Sequence, residues 1–300
     1  MLAAAGFAAA CRTAPRPDAN AVALEAFRLI QSGKTDAGME LLAKKSMESP
    51  VLTDLLAVAL SSPDEAESAA EACLRAANAG LHVAEYRYAL MLLEGRGMAA
   101  DPKRAFEWLK KAAEGGWPDA QNELAVAYES GRPVPADSAA AAGWFRKAAE
   151  QGHAEAMMSL AFLYAEGKGV SRDDALALEW TRKAAERDVA EAQLQLGYRY
   201  SHGKGVPADR EQAFQWLMRA FRNGSKEALL DVAVMLATGT PGGHKDEPLA
   251  YALFLLAEAR GIPRAADGAR SFGKTLTQEQ RAAGRKLYDE IPREPTERAP

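Results

Sequence analysis

The sequence is poor in cysteine, in aromatic residues and in clustered positive charge, and each shortage argues against a class of protein. Two cysteines, Cys11 and Cys73, are too few for a disulfide framework. The formal net charge is −4 and basic residues are interleaved with acidic ones, so no basic stripe exists that would bind nucleic acid. Runs that alternate Val, Ile or Thr with polar residues, which are typical of β-strands, are missing. After the N-terminal segment, no stretch is long and apolar enough to span a bilayer.

Residues that commonly carry catalysis or bind metal ions are also sparse. The recurring aspartates stand at predicted helix starts, where a carboxylate caps the helix rather than forming a catalytic pair. Neither a phosphate-binding glycine loop nor the nucleophile motif G-x-S-x-G occurs. The four histidines share no metal-ligand spacing and are His82, His153, His202 and His244. We therefore predict a protein that is not an enzyme and has no cofactor, metal site or small-molecule substrate.

Alanine provides much of the apolar content, since the hydrophobic fraction is 48% but only 7% of the residues are aromatic. Alanine is the best helix former, and its small side chain lets neighbouring helices approach closely. The sequence therefore predicts an all-α protein of many tightly packed helices. Cys73 lies in an alanine-rich helical stretch, where we expect it to be a small buried apolar residue.

A spacing of 36 residues recurs through the middle of the chain. Tryptophans and tyrosines keep it at Trp108, Trp144, Trp180, Trp216 and at Tyr128, Tyr164, Tyr200. Alanines keep it at Ala84, Ala120, Ala156, Ala192, Ala228 and at Ala112, Ala148, Ala184, Ala220, and aspartates at Asp101, Asp137, Asp173, Asp209. Several registers with one period indicate an array of structural repeats.

Each repeat predicts two helices, here called helix A and helix B. Helix A starts near the first alanine (position 1), and its apolar positions 1, 5, 6 and 9 share one face. Glycines then end the helix, since glycine tolerates the left-handed conformation common at a helix C-terminus. Helix B starts after the recurring aspartate, and its apolar stripe includes the tryptophan, which we expect to be buried between adjacent repeats. The fold predicted is a right-handed superhelical solenoid of antiparallel helix pairs.

The segments EGRGMAADPKRAFEWLKKAAEGGWPDA and AEGKGVSRDDALALEWTRKAAERDVAEA resemble the Sel-one-like repeat (SLR) family, which is similar to the tetratricopeptide repeat. The resemblance covers about residues 84–265. It implies a superhelical scaffold that binds proteins or peptides on its inner surface. Some cysteine-rich relatives are linked to β-lactam binding or hydrolysis, but they carry a cysteine pair in each repeat. Because this chain lacks those pairs, a hydrolase remains only a distant alternative.

The ends of the chain depart from the repeat, as expected where a stack must cover its last apolar face. We expect residues 1–20 to be disordered or signal-like, and residues 21–83 to form degenerate helical repeats. Residues 84–265 form five repeats, with an enlarged loop at 239–248 in the fifth. Residues 266–300 form a capping helix, which starts after a cap at Thr277, and a disordered tail.

The N-terminal apolar run ends at Cys11 and is similar to a bacterial lipoprotein signal, in which the cysteine is lipidated. It departs from that pattern in having no basic n-region and in having Ala8 where leucine is usual. The alternatives are an ordinary disordered terminus and a signal peptide without lipidation. Lipidation at Cys11 predicts a periplasmic, membrane-anchored protein, and an unprocessed terminus predicts a cytoplasmic one.

The predicted function is a protein–protein interaction scaffold, with an envelope assembly factor and a soluble cytoplasmic adaptor or regulator both open. If helix A lines the concave side, its positions 3, 4, 7 and 8 form the wall that meets the partner. These positions vary between repeats while the core positions hardly do, as binding to one extended ligand requires. The predicted wall residues are Tyr86, Arg87, Asn122, Glu123, Met158, Ser159, Phe162, Gln195, Tyr198, Arg199 and Asp231.

Overall fold

A computed structural model describes residues 17–31, 37–38, 40–41, 66–239 and 245–291. In these ranges every regular element is an α-helix, so the predicted all-α class is confirmed. The helices are α1 (Pro17–Gln31), α2 (Ala66–Asn78), α3 (His82–Glu94), α4 (Pro102–Glu114), α5 (Pro118–Ser130), α6 (Ser138–Glu150), α7 (Ala154–Glu166), α8 (Asp174–Glu186), α9 (Ala190–His202), α10 (Arg210–Arg222), α11 (Lys226–Thr238), α12 (Glu247–Ala259), α13 (Ala265–Thr275) and α14 (Gln278–Glu290).

The chain divides into two compact units, residues 1–153 and 154–300. In the N-terminal unit α3 and α5 are helices A, and α4 and α6 are helices B. In the C-terminal unit α7, α9 and α11 are helices A, and α8, α10 and α12 are helices B. Within each unit every helix A packs on the helix B that follows it in the chain.

Positions 1, 5 and 6 of helix A are buried in every repeat, as the sequence predicts, whereas position 9 is half-buried at Tyr128 and Tyr200. In α7, Ala156 and Leu160 are fully buried, and Ala161 and Tyr164 are nearly so. Alanine at positions 1 and 6 leaves room for the neighbouring helix, while a larger apolar residue at position 5 fills the space between helices. In α9 position 6 is Gly197, where an added β-carbon would lie 2.6 Å from Leu217 of α10. The repeat therefore fixes how closely helices A and B approach each other.

The recurring aspartates cap helix B, as predicted. Asp137 accepts hydrogen bonds from the backbone amides of Ala139 and Ala140 at 3.0 and 2.9 Å. Asp101, Asp173 and Asp209 cap α4, α8 and α10 in the same way. Asp246 caps α12, although the enlarged loop before it breaks the spacing that identifies the other four.

The glycine after helix A adopts the left-handed conformation in α3, α5 and α9, at Gly95, Gly131 and Gly203. A second left-handed residue lies in the turn from helix B to the next helix A, and it is Gly152 after α6 and Gly224 after α10. After α8 this residue is Asp188, with φ of 62°. Asp188, which stands where the other repeats have glycine, therefore adopts the same left-handed conformation as those glycines.

The expectation for the tryptophan series is confirmed only in part. Trp180 is buried, but Trp108, Trp144 and Trp216 are half-buried. The residue after each tryptophan is the more deeply buried one, as shown by Phe145, which is fully buried. A basic side chain three residues on lies over each ring, for instance Lys147 Nζ at 3.7 Å from the centroid of the Trp144 ring.

The terminal helices differ in detail from the prediction. Helix α1 begins at Pro17, and Asn20 Oδ1 accepts a hydrogen bond of 3.0 Å from the His82 amide at the start of α3. Thr277 and Gln280 form a complete capping box at the start of α14. Helix α13 precedes it and was not predicted. Cys11 and the predicted C-terminal tail lie outside the described residues, as does part of the segment 21–83 that we expect to form degenerate repeats. No helix of the described ranges combines the length and apolar character needed to cross a membrane.

Candidate partner-binding surface

Exposed large apolar side chains are found on helices A in the described part of the chain. Among the described residues, the large apolar side chains with high exposure are five, and all lie on helices A. Four of them occupy position 7: Val126 (41% exposed), Phe162 (49%), Tyr198 (41%) and Val234 (44%). The fifth is Leu93, near the end of α3. In the C-terminal unit three successive repeats expose an apolar residue at this register, so the helices A of that unit present an apolar face. In the N-terminal unit Val126 is exposed at this register and Leu90 is half-buried.

In the N-terminal unit the predicted wall residues are mostly half-buried. Tyr86, Arg87 and Glu123 are partly exposed. Asn122 differs from the prediction: it is 5% exposed, and its Oδ1 has no hydrogen-bond partner among the described residues. Position 3 of helix A in α5 therefore faces the interior, and positions 4 and 7 of this helix are the half-buried Glu123 and the exposed Val126.

Cys73 is buried, as predicted, and its Sγ donates to the Ala84 carbonyl at 3.3 Å. Burial raises the pKa of the Cys73 thiol to about 12, although the charge of Arg87 lowers it. The thiol is therefore protonated at neutral pH and has a packing role rather than a nucleophilic one.

In the C-terminal unit the wall residues divide into two groups. Phe162 and Tyr198 are exposed, and Met158, Ser159, Gln195 and Asp231 are half-buried. Arg199 belongs to neither group, because its guanidinium lies against Gly205 in the loop after α9. A β-carbon built on Gly205 would lie 3.3 Å from a terminal nitrogen of this guanidinium. Its charge contributes to the low pKa of Asp174, behind the stronger effect of the hydrogen bond and charge of Arg172. Arg199 thus extends toward the repeat's loops.

The Tyr198 phenol on α9 lies near enough to the Asp231 carboxyl on α11 for each group to shift the pKa of the other. Burial raises the pKa of Asp231, and this rise is opposed by the neighbouring Tyr198 and by the charge of His202. The Asp231 Oδ2 atom is buried and has no hydrogen-bond partner among the described residues. Partial burial and the neighbouring Asp231 raise the pKa of Tyr198 to about 12. The pair links two successive helices A and places a carboxylate beside an exposed ring.

Sequence reasoning missed part of this surface. Val126 and Val234 were not among the predicted wall residues, although each lies a whole number of 36-residue periods from Phe162. The 36-residue spacing from Phe162 could have identified both residues as part of this surface. The same spacing also picks out Leu90, which is half-buried. Position 2 of helix A was missed as well: Gln121 and Gln193 are buried there and hydrogen-bonded.

The described ranges hold no group of three or more His, Cys, Asp or Glu side chains that would bind a metal ion. The arrangement on helices A instead offers rings, aliphatic side chains and carboxylates to a large ligand. Such a surface is chemically suited to binding a polypeptide.

The model of the Sel1 repeat matches five successive segments, residues 82–117, 118–153, 154–189, 190–225 and 226–262, which together span more than half of the chain. A Sel1 repeat protein from Oxalobacter formigenes has a similar structure, with 29% identity and a TM-score of 0.58, over 76% of this chain and 99% of that protein. A protective antigen of uropathogenic Escherichia coli that displays an SLR fold matches with 23% identity and a TM-score of 0.54, over 85% of this chain. This chain spans 64% of the length of the E. coli protein. No curated protein matches the sequence.

Proposed function

This chain belongs to the Sel1 repeat family, and we propose that it binds a partner protein or peptide on the solvent-facing side of its helices A. Sel1 repeat proteins are generally protein-interaction scaffolds. The observation that supports this surface is the exposure of apolar residues at position 7 in four repeats. Leaving such side chains in water is unfavourable, and a partner that covers them gains the free energy of their burial.

The variation between repeats supports one extended partner rather than several identical ones. Position 4 changes from Arg87 through Glu123 and Ser159 to Asp231, whereas position 1 is alanine in every repeat. Each repeat then contacts its own part of the partner, and the sum of many modest contacts determines affinity. Aromatic residues, as at Phe162 and Tyr198, are the type that most often anchors an interface.

Affinity capture from native cells tests this function, with wild type compared with a Val126→Ser/Phe162→Ser/Val234→Ser variant. The three side chains are exposed, so we expect the helical circular dichroism spectrum to be unchanged. A matched control, Lys110→Ser/Ala139→Ser/Ala175→Ser, changes three exposed residues of helices B. The proposal predicts a partner that wild type and the control retain and the helix-A variant loses. Equal capture by all three proteins would place the interface elsewhere.

We further propose that the protein acts in the bacterial envelope, anchored in the periplasm by a lipid on Cys11. Support comes from the sequence alone, from the run of small and apolar residues that precedes Cys11. Mass spectrometry of the protein from its native membrane fraction tests it: a mature N-terminus at Cys11 carrying acyl groups is expected, and Cys11→Ser should release the protein from membranes. An unmodified Met1 on the native protein would favour the cytoplasmic adaptor instead.

A further inference from the structure

The helices A of the C-terminal unit combine exposed apolar side chains with negative charge. We call this surface the aromatic–acidic face and define it as Phe162, Glu191, Tyr198, Glu227, Asp231 and Val234. The three apolar members occupy position 7 of α7, α9 and α11 and are exposed. Glu191 and Glu227 are exposed acids in the first turns of α9 and α11. Acidic groups thus lie on the same helices A as two of the three exposed apolar residues, Tyr198 on α9 and Val234 on α11.

The acidic members act together at Tyr198. Partial burial raises the pKa of the Tyr198 phenol, and the neighbouring Asp231 and the charges of Glu227 and Glu191 raise it further. Three carboxylates on two helices therefore create a negative potential around one exposed ring. Such a potential attracts a cation, and the face of the ring offers it a second favourable contact.

Basic groups lie close to the aromatic–acidic face. Lys168, in the loop after α7, lies over the Phe162 ring with its Nζ 4.8 Å from the ring centroid. His202 follows Tyr198 by one helical turn, with a centroid distance of 6.3 Å between the rings. Glu191 accepts a hydrogen bond only from the neutral side chain of Gln195 (3.3 Å), and Glu227 only from Ser225 (3.2 Å), among the contacts of the described residues. The partners of both exposed carboxylates are therefore neutral side chains.

We propose that the aromatic–acidic face binds a partner segment in which a lysine or arginine stands beside an apolar side chain. The inference rests on the proposed function and adds the chemical class of the partner. The cation meets Glu191, Glu227 and the Tyr198 ring, and the apolar side chain packs on Phe162 or Val234. A nucleic acid carries the same sign of charge as the face and is repelled by it.

Selection of random peptides displayed on phage, with the full chain as bait, tests the proposal. The discriminating bait is Glu191→Gln/Glu227→Gln, which removes two exposed charges with little change of shape. Glu179→Gln/Glu186→Gln on helix α8 is the matched control, since it removes two exposed charges from a helix B. Selected peptides are then synthesised, and their dissociation constants are measured with each protein at low and physiological salt.

We expect peptides enriched in lysine or arginine next to an aliphatic or aromatic residue. Their affinity should fall about tenfold with the Glu191→Gln/Glu227→Gln protein, be unchanged with the control, and weaken as salt is raised. Enriched peptides without basic residues, whose binding is lost with Phe162→Ser/Val234→Ser, would overturn this inference and leave the proposed function standing. No enrichment over the bare support would count against both.

Discussion

Gln193 on α9 accepts a hydrogen bond of 2.9 Å at its Oε1 from Asn223 Nδ2, at the end of α10. Its Nε2 donates to the Ala185 carbonyl at 2.9 Å, near the end of α8. One fully buried side chain of helix A therefore joins the C-terminal ends of two successive helices B. In the N-terminal unit Gln121 makes the same arrangement, with Ala113 at 3.1 Å and Gln151 at 2.8 Å.

Replacement of this glutamine should weaken the stack. We predict that Gln193→Met lowers the free energy of unfolding by about 1–3 kcal/mol, because it removes two hydrogen bonds of a buried side chain, one to the Ala185 carbonyl and one from the Asn223 amide. The volume is acceptable, since position 2 of α7 is the buried Met157. Unfolding in urea measures the effect. Gln215→Met, at an exposed site on α10, is the control and should change stability by less than about 0.5 kcal/mol; equal effects of the two substitutions would contradict the role of Gln193.

Asp188 holds a left-handed conformation that costs free energy in any residue with a β-carbon. It offsets this cost because its Oδ1 accepts hydrogen bonds from Arg219 (3.0 Å) and Asn223 (3.2 Å). We predict that Asp188→Ala, which keeps the unfavourable conformation and loses the bonds, is less stable than Asp188→Gly by about 1 kcal/mol. Thermal unfolding of the two variants measures the difference. An alanine variant at least as stable as the glycine variant would show that the turn relaxes.

The Asp188 contacts also predict a pH dependence. Hydrogen bonds from Arg219 and Asn223 hold the pKa of Asp188 below its ordinary value of 3.8. A group whose pKa is lower in the folded state than in the unfolded state stabilises the fold at any pH above its unfolded pKa. This contribution is lost as the pH falls through the pKa of the folded state. The stability difference between wild type and Asp188→Asn should therefore be constant near neutral pH and shrink below pH 3.8. A difference that is independent of pH down to that range would contradict the ionic contact.

The raised pKa of Asp231 predicts a pH dependence of stability with the opposite sign to that of Asp188. Its pKa is raised by burial, so its contribution to stability is full below the unfolded pKa and is lost as pH rises through the folded pKa. We expect Asp231→Asn to gain stability relative to wild type as pH rises above 3.8, the ordinary pKa of the group. Urea unfolding across that range measures the trend, with Glu191→Asn as an exposed acid for comparison. A flat difference would show that the Asp231 carboxylate is solvated.

The two tryptophans Trp180 and Trp216 occupy the same register but differ in burial. We predict that Trp180→Ala costs about 3–5 kcal/mol by leaving a cavity, and that Trp216→Ala costs less because its ring is half-buried. Thermal unfolding of both variants measures the costs. A Trp180→Ala variant that unfolds at the wild-type temperature would show that the ring is not part of the core.

The sequence predicted the repeat and its helices because alanine, glycine and aspartate act locally. The Asp137 cap and the Gly131 helix end each follow from interactions within a few residues along the chain. Side-chain directions were harder, since Arg199 and Tyr198 are neighbours on one helix and only packing decides which is exposed. The Gln193 arrangement was missed for the same reason: its partners lie eight residues before it and thirty after it, and a glutamine in a helix is usually a surface residue.

A photo-reactive crosslinking residue placed at one position of helix A tests the central claim most directly. We would introduce it in place of Phe162 and, in a separate protein, in place of Glu179 on helix α8, and irradiate the native cells that produce each protein. Partner binding on helices A predicts crosslinked partner adducts from position 162 and none above background from position 179. Adducts from position 179 alone, or equally from both, would contradict partner binding on helices A.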